Sequence, residues 1–216
     1  FHIGGVTPLL GCLGLRAAFV HAGHFDPLVS LHQLQDERCT VAYPAFDLIW
    51  LAILDHPRRK EFDLSGLRTC IYTMAPMGRP LLERAMADMC PNFVLSSGQT
   101  EMYPATTMSQ PDRQLERFGN YWGESLIVNE TAIMDDNGNL LPRGQVGELV
   151  HRGPNVMMGY YKDPKATEEA RKFGWHHTGD LALIDEHGEV LFLDRKKDMI
   201  KSGGERISSD DLENAL

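Results

Sequence analysis

Residues 96–101 read Ser-Ser-Gly-Gln-Thr-Glu and follow the apolar run Phe93-Val94-Leu95. A turn after a buried strand can aim backbone N–H groups and hydroxyls at one point, and such nests bind anions. Glu101 in that corner would repel a phosphate unless a cation stood between them. Mg²⁺ meets the need, because it takes oxygen ligands from protein and phosphate together. On this reading Thr100 contacts a phosphate and Glu101 holds Mg²⁺. The bland alternative is a strand-to-helix loop, with Thr100 as the cap and Glu101 in the first turn.

Two further stretches carry candidate chemistry. In Trp175-His176-His177-Thr178-Gly179-Asp180, the aspartate just past a glycine suits a ribose, whose 2′- and 3′-hydroxyls can both donate to one carboxylate. Charge-assisted bonds of this kind contribute about 1.5–3 kcal/mol each. Adjacent histidines in an extended strand point to opposite faces, which argues against one shared metal ion. The charged run Asp194-Arg195-Lys196-Lys197-Asp198 leads at once into Met199-Ile200-Lys201-Ser202-Gly203-Gly204. That pattern reads as a charged joint entering a new domain. The planar fork of Arg195 matches ribose or phosphate oxygens.

The elements that must position these groups change in texture along the chain. Residues 1–120 alternate helical and strand-like runs. Helical spacing is expected over Leu28–Glu37, Phe46–Leu54 and Pro80–Met89, and strands over Thr40–Tyr43, Leu67–Tyr72 and Phe93–Leu95. This alternation predicts an α/β layer with a mostly parallel sheet. Residues 121–194 are β-rich, punctuated by turn signals at Asp135–Asn139 and Asp185–Glu189 and by Gly144, Gly147, Gly153 and Gly159. Residues 195–216 read as a hinge and the start of a further domain, with a helix start at Ser208–Asp211.

The chain has 216 residues, 43% hydrophobic and 24% charged, and a net charge of −9. That size can bury a core, and the acidic balance argues against general nucleic-acid binding. The cysteines at 12, 39, 70 and 90 lack metal-ligand or CxxC spacing and read as reduced core thiols in a cytoplasmic setting. The apolar first 22 residues contain Pro8, Arg16, two histidines and four glycines, which argues against a spanning helix. The chain opens at Phe1 inside an apolar stretch and stops within the expected helix, so the sequence reads as a piece of a longer protein.

Taken in order, these pieces resemble the adenylate-forming superfamily, which includes acyl-CoA synthetases, beetle luciferases and the adenylation domains of peptide synthetases. Phe1-His2-Ile3-Gly4-Gly5 resembles its aromatic-His motif, and Thr73-Met74-Ala75-Pro76-Met77 its Gly-Gly-Ala-Pro-Leu adenine loop. Ser97–Glu101 resembles Tyr-Gly-x-Thr-Glu. Gly147-Glu148-Leu149, Gly153, Gly159-Tyr160, Pro164 and Thr167 match the next run, followed by Thr178-Gly179-Asp180 and Asp194-Arg195. The implied chemistry is attack of a carboxylate on the α-phosphate of ATP, then displacement of AMP by a thiol, usually that of coenzyme A.

Carried over residue by residue, the resemblance puts Ala75, Pro76 and Phe192 against adenine. It puts Gly98, Gln99 and Thr100 at the nucleotide, and Asp180 and Arg195 on the ribose. Thr100, Glu101 with Mg²⁺, and the hinge residue Lys197 take the catalytic roles. His2, Gly4 and Met74 fall at the acyl pocket, while Lys201, Gly203 and Gly204 fall at the thiol channel. Apolar residues including Phe46, Ile49, Trp50 and Met102 would line that pocket or belong to the core.

Ser97, Met74 and Met77 depart from the family pattern, and Gln99 tilts the substrate expectation toward a fatty acid. The family's phosphate loop and its C-terminal lysine have no counterpart here, so this stretch alone is expected to be inactive. Alternatives are a domain loading a carrier-protein thiol and a non-catalytic nucleotide-binding module. Oligomeric state stays open, a homodimer included.

Overall fold

The computed structural model describes residues 3–21, 23–44, 46–73, 77–117, 120–196, 200–202 and 205–207, with backbone alone for 3, 200–202 and 205–207. The sequence-assigned residues His2, Met74, Ala75, Pro76, Lys197, Gly203 and Gly204 lie outside this set, as does the expected helix start at 208. The chain divides into two compact units, residues 1–97 with 109–119, and residues 98–108 with 120–216.

The first unit carries helices α1 (Ile3–Leu15), α2 (Pro27–Asp36), α3 (Asp47–Leu54) and α4 (Arg79–Asp88). Its strands are β1 (Val41–Ala42), β2 (Thr69–Thr73) and most of β3 (Phe93–Gln99). The strands are parallel in the order β1-β2-β3, with Val41 opposite Thr69 and Cys70 opposite Phe93. Asp26 caps α2 by accepting from the Val29 amide at 2.9 Å, and Pro27 occupies the first turn, where its missing N–H costs nothing. The core is apolar: Trp50, Phe93, Leu31 and Leu82 are fully buried, and Trp50 meets Phe93 edge-on with centroids 5.0 Å apart.

One expectation, that on the cysteines, needs correction here. The apolar start, weighed in the sequence only against a spanning helix, forms α1, 13 residues through Pro8 and the glycines. At about 1.5 Å per residue that is still far short of a bilayer, and among the described residues no helix is long and apolar enough to cross one. Only Cys70 and Cys90 are core thiols, while Cys12 and Cys39 are partly exposed. Of the residues expected either at the pocket or in the core, Trp50 and Met102 have no exposed surface and belong to the core.

The second unit holds the end of β3, then β4 (Met102–Met108), β5 (Tyr121–Ser125), β6 (Glu130–Met134), β7 (Gly147–Arg152), the short α5 (Pro164–Glu169), β8 (His176–Ile184) and β9 (Val190–Arg195). Its sheet runs β4-β5-β9-β8-β7-β6 with antiparallel neighbours. Ile133, Leu149, Ala182 and Val190 pack one core, and Met134, Val150 and Trp175 another. This is the period-two alternation of strands. Both aspartate turns form the same way: Asp135 accepts from the amides of Asn137 and Asn139, and Asp185 from those of His187 and Glu189. A hairpin of β10 (Ile200–Ser202) and β11 (Glu205–Ile207) sets Lys201 opposite Arg206.

Candidate functional site

The Ser-Ser-Gly-Gln-Thr-Glu stretch is neither a loop nor the start of a helix. Strand β3 runs on through Gln99, turns at Thr100-Glu101 and returns as β4. Gly98 is what the return requires, because a Cβ there would lie 3.0 Å from the Ala105 Cα. The turn leaves Thr100 exposed and Glu101 half-buried. Glu101 is held twice by the segment before α5. Its carbonyl accepts from the Met157 amide at 2.7 Å, and its Oε1 accepts from the Tyr160 hydroxyl at 2.8 Å.

Asp180 and Arg195 come together through strand register, since they are direct partners across β8 and β9. Between Thr178 and Asp180 the chain bends through Gly179 at φ +75°, a left-handed conformation that favours glycine. The Arg195 Nε lies 3.0 Å from Asp180 Oδ1, so the buried Oδ1 is ion-paired but accepts no hydrogen bond. Oδ2 accepts from Gln99 Nε2 at 3.3 Å, and the same amide donates to the Thr178 carbonyl at 3.1 Å. Burial raises the Asp180 pKa despite Arg195 beside it. Its carboxylate is 3% exposed, whereas the Arg195 side chain is 51% exposed, so the arginine is the partner free to rearrange.

These features fit a ligand bearing hydroxyl donors, because a buried carboxylate oxygen without a hydrogen bond is expensive to leave so. They also fit Mg²⁺ at Glu101 in a particular way. One carboxylate beside one hydroxyl suits an ion that takes its other ligands from phosphate and water, and among the described residues no cluster of three His, Cys, Asp or Glu side chains could hold a metal alone. Phe192 is half-buried and stacks on Trp122, with centroids 4.5 Å apart and planes 9° from parallel. One face of that ring is therefore taken by protein. Gly4 sits within α1 of the first unit.

Several site residues carried no sequence-level role. Glu148, 8% exposed, accepts from the Gly179 amide at 3.1 Å and pairs with His177 at 3.0 Å and Lys196 at 2.9 Å. Burial would raise its pKa, but the bonds from Lys196 and His177 prevail and hold it below the usual carboxylate range. Lys196 also reaches Asp136 at 2.9 Å, so the residue after Arg195 is anchored from two sides. The signal was a lone carboxylate in the apolar run Gly147-Glu148-Leu149-Val150, which had to find a partner. His176 and His177 do take different partners: His177 bonds Glu148, while His176 Nε2 lies 3.0 Å from Gln99 Oε1.

Comparison with known proteins follows the same lines. Residues 1–161 match the family described as AMP-binding enzyme. Feruloyl-CoA synthase from Amycolatopsis sp is 37% identical over 192 residues, 89% of this chain and 38% of that protein. 4-Coumarate–CoA ligase 2 from Nicotiana tabacum is 35% identical over 224 residues, all of this chain and 41% of the ligase. Among solved structures, O-succinylbenzoate coenzyme A synthetase from Bacillus subtilis in complex with AMP superposes with a TM-score of 0.89 at 28% identity, covering 100% of this chain and 43% of the synthetase. The same enzyme is known with ATP and a magnesium ion. The chain thus spans about two-fifths of the length of these relatives.

Proposed function

Because the chain belongs to the family of AMP-binding enzymes, we propose that the full-length protein is an ATP-dependent acid–thiol ligase. It joins an apolar carboxylic acid to AMP, releasing pyrophosphate, and then passes the acyl group to the thiol of coenzyme A with loss of AMP. The observation that carries this reading is the convergence of Gln99 and Arg195 on the buried carboxylate of Asp180, with Gln99 two residues along the chain from Glu101.

In this reading the ribose hydroxyls donate to Asp180 as the half-exposed Arg195 shifts from the carboxylate onto the ribose. The free face of Phe192 takes the adenine. Thr100 and a Mg²⁺ ion on Glu101 neutralise phosphate charge, which together with positioning supplies most of the catalysis at phosphorus. Tyr160 keeps one oxygen of Glu101 occupied and leaves the other for the ion. Lys197 serves as the hinge, and Lys201, Gly203 and Gly204 line the thiol path. The resemblance assigns Ala75 and Pro76 to adenine recognition, and His2, Gly4 and Met74 to the acyl group. The relatives named for feruloyl and coumarate favour an aromatic acid over the fatty acid suggested by Gln99. A cytoplasmic location suits a protein using ATP and coenzyme A.

The test is an assay of the full-length protein with ATP, Mg²⁺, coenzyme A and a panel of hydroxycinnamic and straight-chain fatty acids, following AMP release and thioester formation. Acid-dependent AMP release with thioester supports the ligase. Pyrophosphate exchange without any coenzyme A product points to a carrier-protein thiol. AMP binding with no exchange for any acid points to a non-catalytic module.

A further inference from the structure

We propose that His176 is a positioning residue for nucleotide binding, acting through Gln99 on Asp180. The inference rests on the reading of Asp180 as the ribose acceptor. Its basis is a continuous chain of hydrogen bonds through the half-buried Gln99, with His176 3% exposed and Asp180 2% exposed at its ends.

The direction of each bond follows from what faces the Gln99 amide. Two acceptors, the Asp180 carboxylate at 3.3 Å and the Thr178 carbonyl at 3.1 Å, lie on one side. That side must present the NH₂, since an amide oxygen there would confront two more oxygens. The Gln99 oxygen therefore faces His176, and His176 Nε2 must carry the hydrogen that it accepts at 3.0 Å. This fixes the tautomer, and Nδ1, which is buried without a partner, becomes the bare nitrogen. The histidine thus satisfies the one amide atom that would otherwise be an orphan, and locks the amide with its donors toward Asp180.

Strand register supplies the lever arm. His176 and Asp180 both lie in β8, four residues apart, and both are buried. Gln99 ends β3 and bridges them. A carboxylate held at Oδ2 by Gln99 keeps Oδ1 at a defined angle toward Arg195 and any incoming hydroxyl. Without His176 the Gln99 oxygen loses its donor, and the amide is then held from the Asp180 side alone, so its NH₂ sits less firmly against the carboxylate.

Titration calorimetry of AMP into the full-length protein tests this with His176→Leu, His176→Gln, Gln99→Leu, the double variant His176→Leu/Gln99→Leu, and Asp180→Ala. His176→Leu should weaken AMP roughly three- to tenfold, the size of one lost hydrogen bond. His176→Gln, whose amide can replace the Nε2–H, should recover most of that loss. In the Gln99→Leu background the histidine change should cost nothing further, which a merely structural role would not produce. Should His176→Leu fail to fold, His176→Gln and Gln99→Leu carry the test, with near-native affinity expected for the first and three- to tenfold weakening for the second. Native affinity in His176→Leu, or the same loss with and without Gln99, overturns the inference while a loss in Asp180→Ala leaves the ribose reading standing. Native affinity in Asp180→Ala overturns the ribose reading itself, and the inference with it.

Discussion

The two compact units solve the problem of a stable interior differently. The first fills its core with Trp50, Phe93, Leu31, Leu82 and Met77, and among the described residues its buried polar side chains are Ser96, Ser109 and Gln114, with Gln114 accepting from the Tyr72 hydroxyl at 2.7 Å. The second buries Glu148, His151, His176, Asp180, Glu189 and Asp194. Apolar packing is tolerant of direction, whereas a buried polar group is stable only with its partner in place. The first unit therefore reads as scaffold. The second spends stability on holding particular atoms at particular angles, which is what a binding site needs.

Breaking the scaffold should give the largest effect on stability. Phe93→Ala removes the ring that Trp50 and Tyr72 pack against and should cost about 3–5 kcal/mol in urea unfolding. A cost under about 1 kcal/mol would mean that the first unit is not held by its core.

The second unit should instead show its character in pH dependence. Burial, with His176 nearby, pushes the His151 pKa from 6.5 down to about 3. Between those values the unfolded chain binds a proton that the folded one refuses, so stability falls as pH falls below about 6.5. The slope for one such group is about 1.4 kcal/mol per pH unit. His151→Gln should flatten the profile between pH 6.5 and 4 relative to the parent. An unchanged slope would show that the histidine is not buried neutral.

Smaller effects sharpen the contrast further. Lys196→Met leaves Glu148 with one cationic partner fewer and should lower stability by about 1 kcal/mol, the modest size set by the half-exposed lysine. Glu130→Gln breaks the exposed pair with Arg152 and should leave the unfolding midpoint where it was. Equal losses from these two changes would erase the distinction between buried and exposed charge on which the comparison rests.

What the sequence made legible follows the same division. Helices α2, α3 and α4 and strand β2 were readable because their apolar periodicity is local. The turns at Asp135 and Asp185 were readable because an aspartate closing on its own backbone needs no distant partner. Strand β3 was read too short, since Ser96–Gln99 is polar in composition and its strand geometry comes from the sheet. Helix α1 went unassigned, because Pro8 and its glycines were weighed only against a spanning helix. Asp180 and Arg195 were each chosen by residue type, but their pairing comes from β8–β9 register. Glu148, Tyr160 and the His176–Gln99 contact depend on residues 29 to 77 positions apart, a separation that no local pattern encodes.

The central claim is that Asp180 is the acceptor at the heart of a nucleotide site. Titration of AMP into the full-length protein and its Asp180→Ala variant tests it most directly. The account predicts a loss of affinity of about tenfold or more, the size of one charge-assisted hydrogen bond. Equal affinity in the two proteins would contradict it.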